Sequence, residues 1–264
     1  LLSCAGDPSL ADNRIELAAQ LIMDSKSTVA LTGAGVSTKS GIPDFRGPHG
    51  LWTRVDPAKF AGINGFLSDP KAWWEMAIEL APTLMKAKPN AAHTKLAELE
   101  KMGLLEWVIT QNVDGLHQQA GSKQVLEVHG SLFSGTCTIC HFQVDRKFLE
   151  KCMKKRRIPV MCPSCGCLVK LDAVFFGEAL PQREMATAIK SVRNCQLMLA
   201  IGSYLVVYPV ATLPTIARQS GARLIIINQE PTPFDSVADL VFTAEAGATL
   251  SAIVEAVRKK KGSR

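Results

Sequence analysis

The chain has 264 residues, 47% of them hydrophobic and 20% charged, with a net charge of +6. This is enough apolar material for one large core and a smaller lobe, which excludes a disordered tail protein. The modest positive balance favours anionic cofactors or partners, and it allows nucleic acid without supporting it. Eight cysteines at uneven spacing do not make a secreted disulfide framework, so a reducing, cytoplasmic compartment is expected. The opening LLSCAGDPSL has neither a methionine start nor a basic signal region, and a trimmed or mature form is expected. The most apolar stretch, Leu197 to Pro214, is interrupted by Gly202, Ser203, Pro209 and Pro214; it reads as strand and loop, and no membrane partner is expected.

From Asn13 to Asp24, Ile15, Leu17, Ala18, Leu21 and Ile22 fall at helical spacing and predict an amphipathic helix leading into a buried strand at Val29, Ala30 and Leu31. The strand breaks into Gly33-Ala34-Gly35, where missing Cβ atoms let the backbone turn and leave amide groups facing outward. Ser37 is placed to cap a short helix, so a phosphate there would meet unpaired N–H groups and the positive end of a dipole. The usual dinucleotide fingerprint is incomplete. Thr38 stands in place of its third glycine, and Asp56, in a Pro/Gly-rich stretch, does not supply the acidic residue expected about 20 positions on. Gly41-Ile42-Pro43-Asp44-Phe45-Arg46 then sets an anion, an aromatic face and a cation in succession. GAGVS followed by GIPDFR closely resembles the signature of the sirtuins, the NAD-dependent protein deacylases. That resemblance, which extends over nearly the whole chain, implies that Gly33, Ala34, Gly35, Ser37, Asp44, Phe45 and Arg46 contact NAD.

Beyond Arg46, the segment GPHGLWTRVDP holds Leu51 and Trp52 and reads as a loop able to close over a ligand, with Trp52 beside the cofactor. Helices are predicted over Asp69 to Met85, with an apolar face of Trp73, Trp74, Met76 and Leu80, and over Asn90 to Met102, where His93 reads as a packed core residue. Trp107 to Thr110 is a strand that ends in Gln111-Asn112-Val113-Asp114. Strand carboxyl ends are where open parallel sheets bind ligands, and an amide with a carboxylate can read a carboxamide. The resemblance places Asn112 and Asp114 around nicotinamide, with Val113 between them and Gln111 toward the ribose. Val125 to Val128 is a further strand, ending in His129-Gly130, a setting for a general base; His129 resembles the sirtuin catalytic histidine.

Cys137-x-x-Cys140 and Cys162-x-x-Cys165 suit four thiolates around one structural Zn²⁺, with no open coordination position for catalysis. Cys152, Cys167 and His141 are read as bystanders. The basic runs Lys151 to Arg157 and Arg258 to Arg264 are read as solvated surface. Asp172 to Glu178 is read as a strand returning to the main lobe. Its VFFGE resembles the sirtuin segment that pairs with an acyl-lysine peptide by β-augmentation, so Val174, Phe175, Phe176, Gly177 and Glu178 are expected to face the substrate, with Val174 and Phe175 walling an apolar tunnel. Leu197 to Gly202 and Arg223 to Asn228 are continuous apolar runs typical of parallel strands buried on both faces. Their ends, Gly202-Ser203-Tyr204 and Asn228-Gln229-Glu230, together with Ala246 before a last helix over Thr249 to Val257, match the family's cofactor positions. Tyr204 departs from the family's Gly-Thr-Ser.

The expected fold is a Rossmann-like α/β domain formed by 1–46, 103–133 and 171–264. It carries a cofactor loop and helical insertion at 47–102 and a zinc-binding module at 134–170. The resemblance implies a deacylation in which nicotinamide is released and lysine and acylated ADP-ribose are formed, with His129 taking a proton from the ribose. Asp44, Phe45, Asn112 and Asp114 would position and desolvate the reacting groups. In the branch specialised for acidic acyl groups, a tyrosine and an arginine three residues apart precede PN-x-x-H. Those places hold Ala77 and Leu80 here, so neutral acyl groups are expected. The competing readings are protein ADP-ribosylation and a non-enzymatic scaffold holding zinc and NAD for nucleic acid or chromatin-like partners.

Overall fold

The computed structural model describes residues 8–44, 50, 53 and 56–262. In chain order, α1 (Pro8–Asp24) leads into β1 (Thr28–Thr32), followed by α2 (Pro57–Phe60), α3 (Ile63–Ser68), α4 (Pro70–Lys86), α5 (Ala91–Lys101), β2 (Trp107–Thr110), α6 (Leu116–Gln119) and β3 (Val125–Glu127). Next come β4 (Gly135–Cys137), β5 (Gln143–Val144), α7 (Arg146–Lys154) and β6 (Val169–Leu171). The chain closes with α8 (Gln182–Asn194), β7 (Leu197–Ile201), α9 (Leu213–Gln219), β8 (Arg223–Asn228), β9 (Leu240–Thr243) and α10 (Ala246–Gly262).

Six strands form one parallel sheet in the order β3-β2-β1-β7-β8-β9. β1 and β7 are buried at every residue, as their unbroken apolar runs require when helices cover both faces. One face packs on α1, α5 and α10 through Ile22, Leu96 and Leu250; the other packs on α8 and α9 through Val192 and Leu213. The chain builds outward from β1 to β3 in one direction and from β7 to β9 in the other. The crevice between β1 and β7 is therefore the topological switch point, where ligands bind in such sheets.

A second sheet, β5-β4-β6, is antiparallel and belongs to the cysteine-bearing module. It does not have a core to itself. Val144, Leu149 and Val169 of the module share one hydrophobic cluster with Phe66, Trp73 and Trp74 of the helical insertion and with Phe175.

Several expectations are corrected. Gly33–Gly35 leads into two 3₁₀ turns, Ala34–Val36 and Thr38–Ser40, and Ser37 makes no side-chain cap. The Gly33 and Gly35 amides do not face outward: they donate to the carbonyls of Ile201 (3.1 Å) and Gly202 (2.9 Å). The strand expected over Asp172 to Glu178 is absent, because β6 ends at Leu171 and the chain then runs in extended and turn conformation, with one isolated parallel bridge between Gly62 and Phe176. The insert between the cysteine pairs contains α7, and the last helix starts at Ala246, where Glu245 accepts from the amides of Gly247 and Ala248, both at 2.7 Å.

Candidate active site and metal centre

Glycine is needed at the switch point for close approach of two backbones. A Cβ on Gly33 would lie 2.8 Å from the Gly202 carbonyl oxygen, and one on Gly35 would lie 2.8 Å from the Gly202 Cα. The β1 and β7 tips are thus locked together, and the floor of the crevice is rigid.

The β2 tip is pinned next. Asn112 Nδ2 donates to the Gly33 carbonyl and to Ser37 Oγ, each at 3.1 Å. A carbonyl only accepts, so the amide orientation is fixed and Oδ1 is left toward the cavity that Asn112 lines. Ser37 donates to Asp114 Oδ2 at 2.6 Å, and Asp114 Oδ1 accepts from Leu116 N at 3.0 Å. Behind them, the Asn90 amide donates to His93 Nδ1 at 3.3 Å. This fixes the proton on His93 Nε2, which faces Ser37 Oγ at 3.4 Å. His117, absent from the sequence reading, lies with its ring centre 4.8 Å from that of His93 at a tilt of 58°, and its Nε2 lies 3.0 Å from Thr32 Oγ1. Burial, with His93 nearby, pushes the His117 pKa down to about 3; burial also lowers that of His93, against the pull of Asp114. Both rings are neutral.

His129 follows β3. Its Nδ1 lies 3.1 Å from the Gln111 carbonyl, so Nδ1 carries the hydrogen and Nε2 keeps the lone pair. Burial lowers its pKa, and the bond to Gln111 only partly offsets this. Gly130 has φ +72°, and a Cβ there would lie 2.0 Å from the Asp172 carbonyl, so glycine is obligatory next to this histidine. Gln111 Nε2 donates to Ser203 Oγ at 2.9 Å, and the Leu205 amide donates to the same oxygen at 3.2 Å. With two donors already on it, the Ser203 hydroxyl directs its own proton elsewhere, an arrangement suited to an anionic guest.

These tips open on a cavity of about 690 Å³. Of the expected cofactor residues, Gly33, Ala34, Gly35, Asp44, Gln111, Asn112, Val113, His129, Gly202, Ser203, Tyr204, Asn228, Gln229, Glu230 and Ala246 line it. Ser37 and Asp114 stand behind the wall, within the hydrogen-bond chain just described. Phe45, Arg46 and Trp52 lie outside the described residues. A volume of this order, with acceptors and a free hydroxyl proton at the strand tips, fits a dinucleotide.

Val174, Phe175, Phe176, Gly177 and Glu178 also line the cavity, although they are not in a strand. Part of their hydrogen bonding is already used: the Phe176 amide donates to the Ala61 carbonyl at 2.6 Å, and its carbonyl accepts from Ile63 N at 3.1 Å. Glu178 accepts from Phe175 N at 2.8 Å and pairs with Lys170 at 3.1 Å, while Lys170 Nζ lies 4.4 Å from the Phe175 ring centre. Beyond this segment the wall is carbon from α4 (Met76, Ala77, Leu80, Leu84) and, from α7, Leu149 and Met153 beside the ion pair of Arg146 with Glu150 at 2.7 Å. The α4 spacing was legible as an apolar face, and the resemblance set Ala77 and Leu80 at acyl-contacting places; that Met76 and Leu84 join them on the cavity wall was not legible.

The Sγ atoms of Cys137, Cys140, Cys162 and Cys165 all lie within 4.8 Å of one another, with contacts of 3.5 Å (Cys137 to Cys165) and 3.6 Å (Cys140 to Cys162). Tetrahedral zinc with Zn–S of about 2.3 Å needs sulfurs about 3.8 Å apart. The set fits a structural zinc. None of the four lines the cavity. Cys167 instead turns its thiol toward the Cys165 carbonyl at 3.9 Å.

A family model described as the Sir2 family matches residues 33–209. The chain is 45% identical to NAD-dependent protein deacylase 2 of Archaeoglobus fulgidus, over 96% of this chain and 100% of that protein. It is 43% identical to an NAD-dependent protein deacetylase of Thermodesulfovibrio yellowstonii, over 92% and 94%. Among solved structures, Sir2 with a p53 peptide and NAD+ superposes with a TM-score of 0.83 at 41% identity, covering 93% of this chain and 97% of that one. Sir2Af2 bound to a myristoylated histone peptide gives 0.81 at 40%, covering 96% and 100%.

Proposed function

The chain belongs to the Sir2 family and is an NAD-dependent protein deacylase; from that premise we propose which of its residues do the work. The observation that carries the assignment is His129: neutral, held through Nδ1, and facing the cavity with an unprotonated Nε2. NAD supplies the ribose to which the acyl group is transferred as nicotinamide leaves. His129 Nε2 accepts a proton from an acceptor hydroxyl in the cavity, a general-base step worth about 10² to 10⁴ in rate.

Asn112 Oδ1 accepts from a carboxamide N–H, and Asp114 acts from behind by holding Ser37 against the Asn112 amide. The Ser203 hydroxyl donates to the diphosphate, for which the close-packed Gly33, Gly35 and Gly202 backbone leaves room, its own amides being bonded within the protein. Asn228, Gln229, Glu230 and Ala246 flank the adenosine half, and Asp44 lies on the nicotinamide side. Val174 and Phe175 lead to the carbon-walled channel along α4, where the acyl chain of an acyl-lysine protein lies. Ala77 and Leu80 line that channel and offer no group for a carboxylate, and Arg146, the cation that α7 adds to the cavity wall, is already paired with Glu150 at 2.7 Å, so neutral acyl chains are the substrates. Four cysteine thiols that must stay reduced to hold zinc favour a reducing, cytoplasmic compartment. Among the described residues no helix is long and apolar enough to cross a membrane.

The test is mass spectrometry of acetyl-lysine and succinyl-lysine peptides incubated with the protein, with and without NAD. Loss of acetyl only with NAD is expected. Faster loss of succinyl than of acetyl defeats the neutral-chain assignment.

A further inference from the structure

The residues from Asp145 to Arg157 include seven Lys or Arg and two acids, a net +5 within a chain whose total is +6. Both acids are spent internally. Asp145 caps α7 by accepting from Phe148 N at 2.8 Å, and Glu150 pairs with Arg146 at 2.7 Å and Lys154 at 3.8 Å. Lys147, Lys151, Lys155, Arg156 and Arg157 are exposed, and none forms an ion pair among the described residues. A merely solvated face intersperses the two signs; here one sign is concentrated on one helix end.

The tip of the same module exposes carbon. Ile139, Phe142 and Met161 are 67%, 46% and 48% exposed. They flank the ligands Cys140 and Cys162, whose sulfurs are 3.6 Å apart, so the three belong to one end of the module. Met161 follows Arg157 by four residues, at most about 14 Å of extended chain. On its inner side α7 lines the cavity with Leu149 and Met153. The charged surface therefore adjoins the acyl site.

We infer that the basic end of α7 and the apolar zinc-module tip form a docking surface for an acidic, partly apolar segment of the same protein that carries the acyl-lysine. The inference rests on the deacylase reading above. The observation that favours protein over nucleic acid is the mixture: phosphate contacts use the cations but leave isoleucine, phenylalanine and methionine unburied, whereas an acidic segment with apolar anchors uses both. A nine-residue helix is about 14 Å long, so an extended segment of about ten residues spans from the lysine to the patch.

The test uses two peptides with the same acetyl-lysine core, one extended by ten Glu, Asp, Leu and Phe residues, the other by ten Gly, Ser and Gln residues. At low salt the acidic peptide is expected to show a KM about tenfold lower at equal kcat, with the preference shrinking as salt screens the pairs. In K151E/K155E/R156E/R157E the preference disappears, while kcat and KM for the neutral peptide are unchanged. Phe142→Ser alone weakens the preference about threefold and serves if the charge-reversed variant fails to fold. Equal KM values in the unmodified protein, or a preference that survives charge reversal, overturn the inference. Fluorescence anisotropy of the labelled acidic segment without any lysine measures docking independently of turnover. A chain that binds this segment yet deacylates neither peptide thus counts against the deacylase reading alone. Binding of duplex DNA with no binding of the acidic segment assigns the surface to nucleic acid and overturns the proposal.

Discussion

The Gln111 carbonyl oxygen lies 3.1 Å from Nδ1 of His129 and fixes both the ring's orientation and its tautomer. Gln111 is itself held between β1 and β7, through its amide to the Thr32 carbonyl at 3.0 Å and its side chain to Ser203 at 2.9 Å. His129 therefore takes its orientation from the central strands, although it is carried on the sheet's edge.

His129→Ala should lower the rate of acetyl-lysine turnover by about 10² to 10⁴. NAD affinity, measured by calorimetry, should change far less, since Asn112, Ser203 and the glycine turn are untouched. A variant that keeps half its turnover would remove His129 from the proton transfer.

The acid limb of kcat/KM should have its midpoint below 6.5. In the proposed role of His129 the active form is the neutral ring, and burial lowers its pKa, so a base at this position stays competent to lower pH than a free imidazole. A midpoint above 6.5 in the pH profile contradicts this assignment.

Stability should also fall on acidification. His117 titrates near 6.5 when unfolded and at about 3 when folded, so between those values the unfolded chain binds more protons and unfolding is favoured as pH falls. One such group contributes about 1.4 kcal/mol per pH unit inside the window. Urea titrations at pH 7.5, 6 and 5 should show a shallower loss for His117→Gln. Identical slopes would mean that this ring is not linked to unfolding.

Gly130→Ala combines left-handed strain with a Cβ 2.0 Å from the Asp172 carbonyl, and should cost about 3 kcal/mol or more as well as displacing His129. Gly103→Ala is the control. Its φ is +73° with nothing within 4 Å of the added carbon, so it should cost only the strain, about 1 to 2 kcal/mol. Equal melting temperatures for the two variants would contradict the contact with Asp172.

Zinc removal should abolish activity from a distance. No cysteine of the set lines the cavity, but Leu149, Val169 and Leu171 of the module pack in one cluster with Trp73 and Phe175, which do line it. Chelation, or Cys140→Ser, should release about one zinc per chain, lower Tm and destroy turnover together. Full activity after complete zinc loss would show that the cavity wall holds without the module.

Candidate groups carried by neighbours in the chain were legible beforehand. The two C-x-x-C pairs, His129-Gly130 and the strand-terminal Gln111-Asn112-Val113-Asp114 each declare themselves within a few residues. What failed was inference about hydrogen-bond partners. The glycine-turn amides looked available because their acceptors, Ile201 and Gly202, lie some 170 positions away and meet them only through parallel register. The 172–178 segment has the apolar content of a strand, but at Phe176 it bonds to residues 61–63 and joins neither sheet. His117 gave no signal at all, being one residue in a four-residue helix.

The amino-acid order alone therefore determined which side chains could do chemistry: four thiols at metal spacing, an imidazole at a strand end, an amide and a carboxylate at another. Tertiary structure decided which of them face the cavity. It placed Asn112 and Ser203 on the wall and Ser37 and Asp114 behind it, and it brought an inserted helix and a zinc module into one core beside the site. The physical reason is that each buried donor or acceptor must find a partner, and in a parallel sheet the partners lie on strands far apart in sequence, so local spacing cannot specify which groups are consumed and which remain for a ligand.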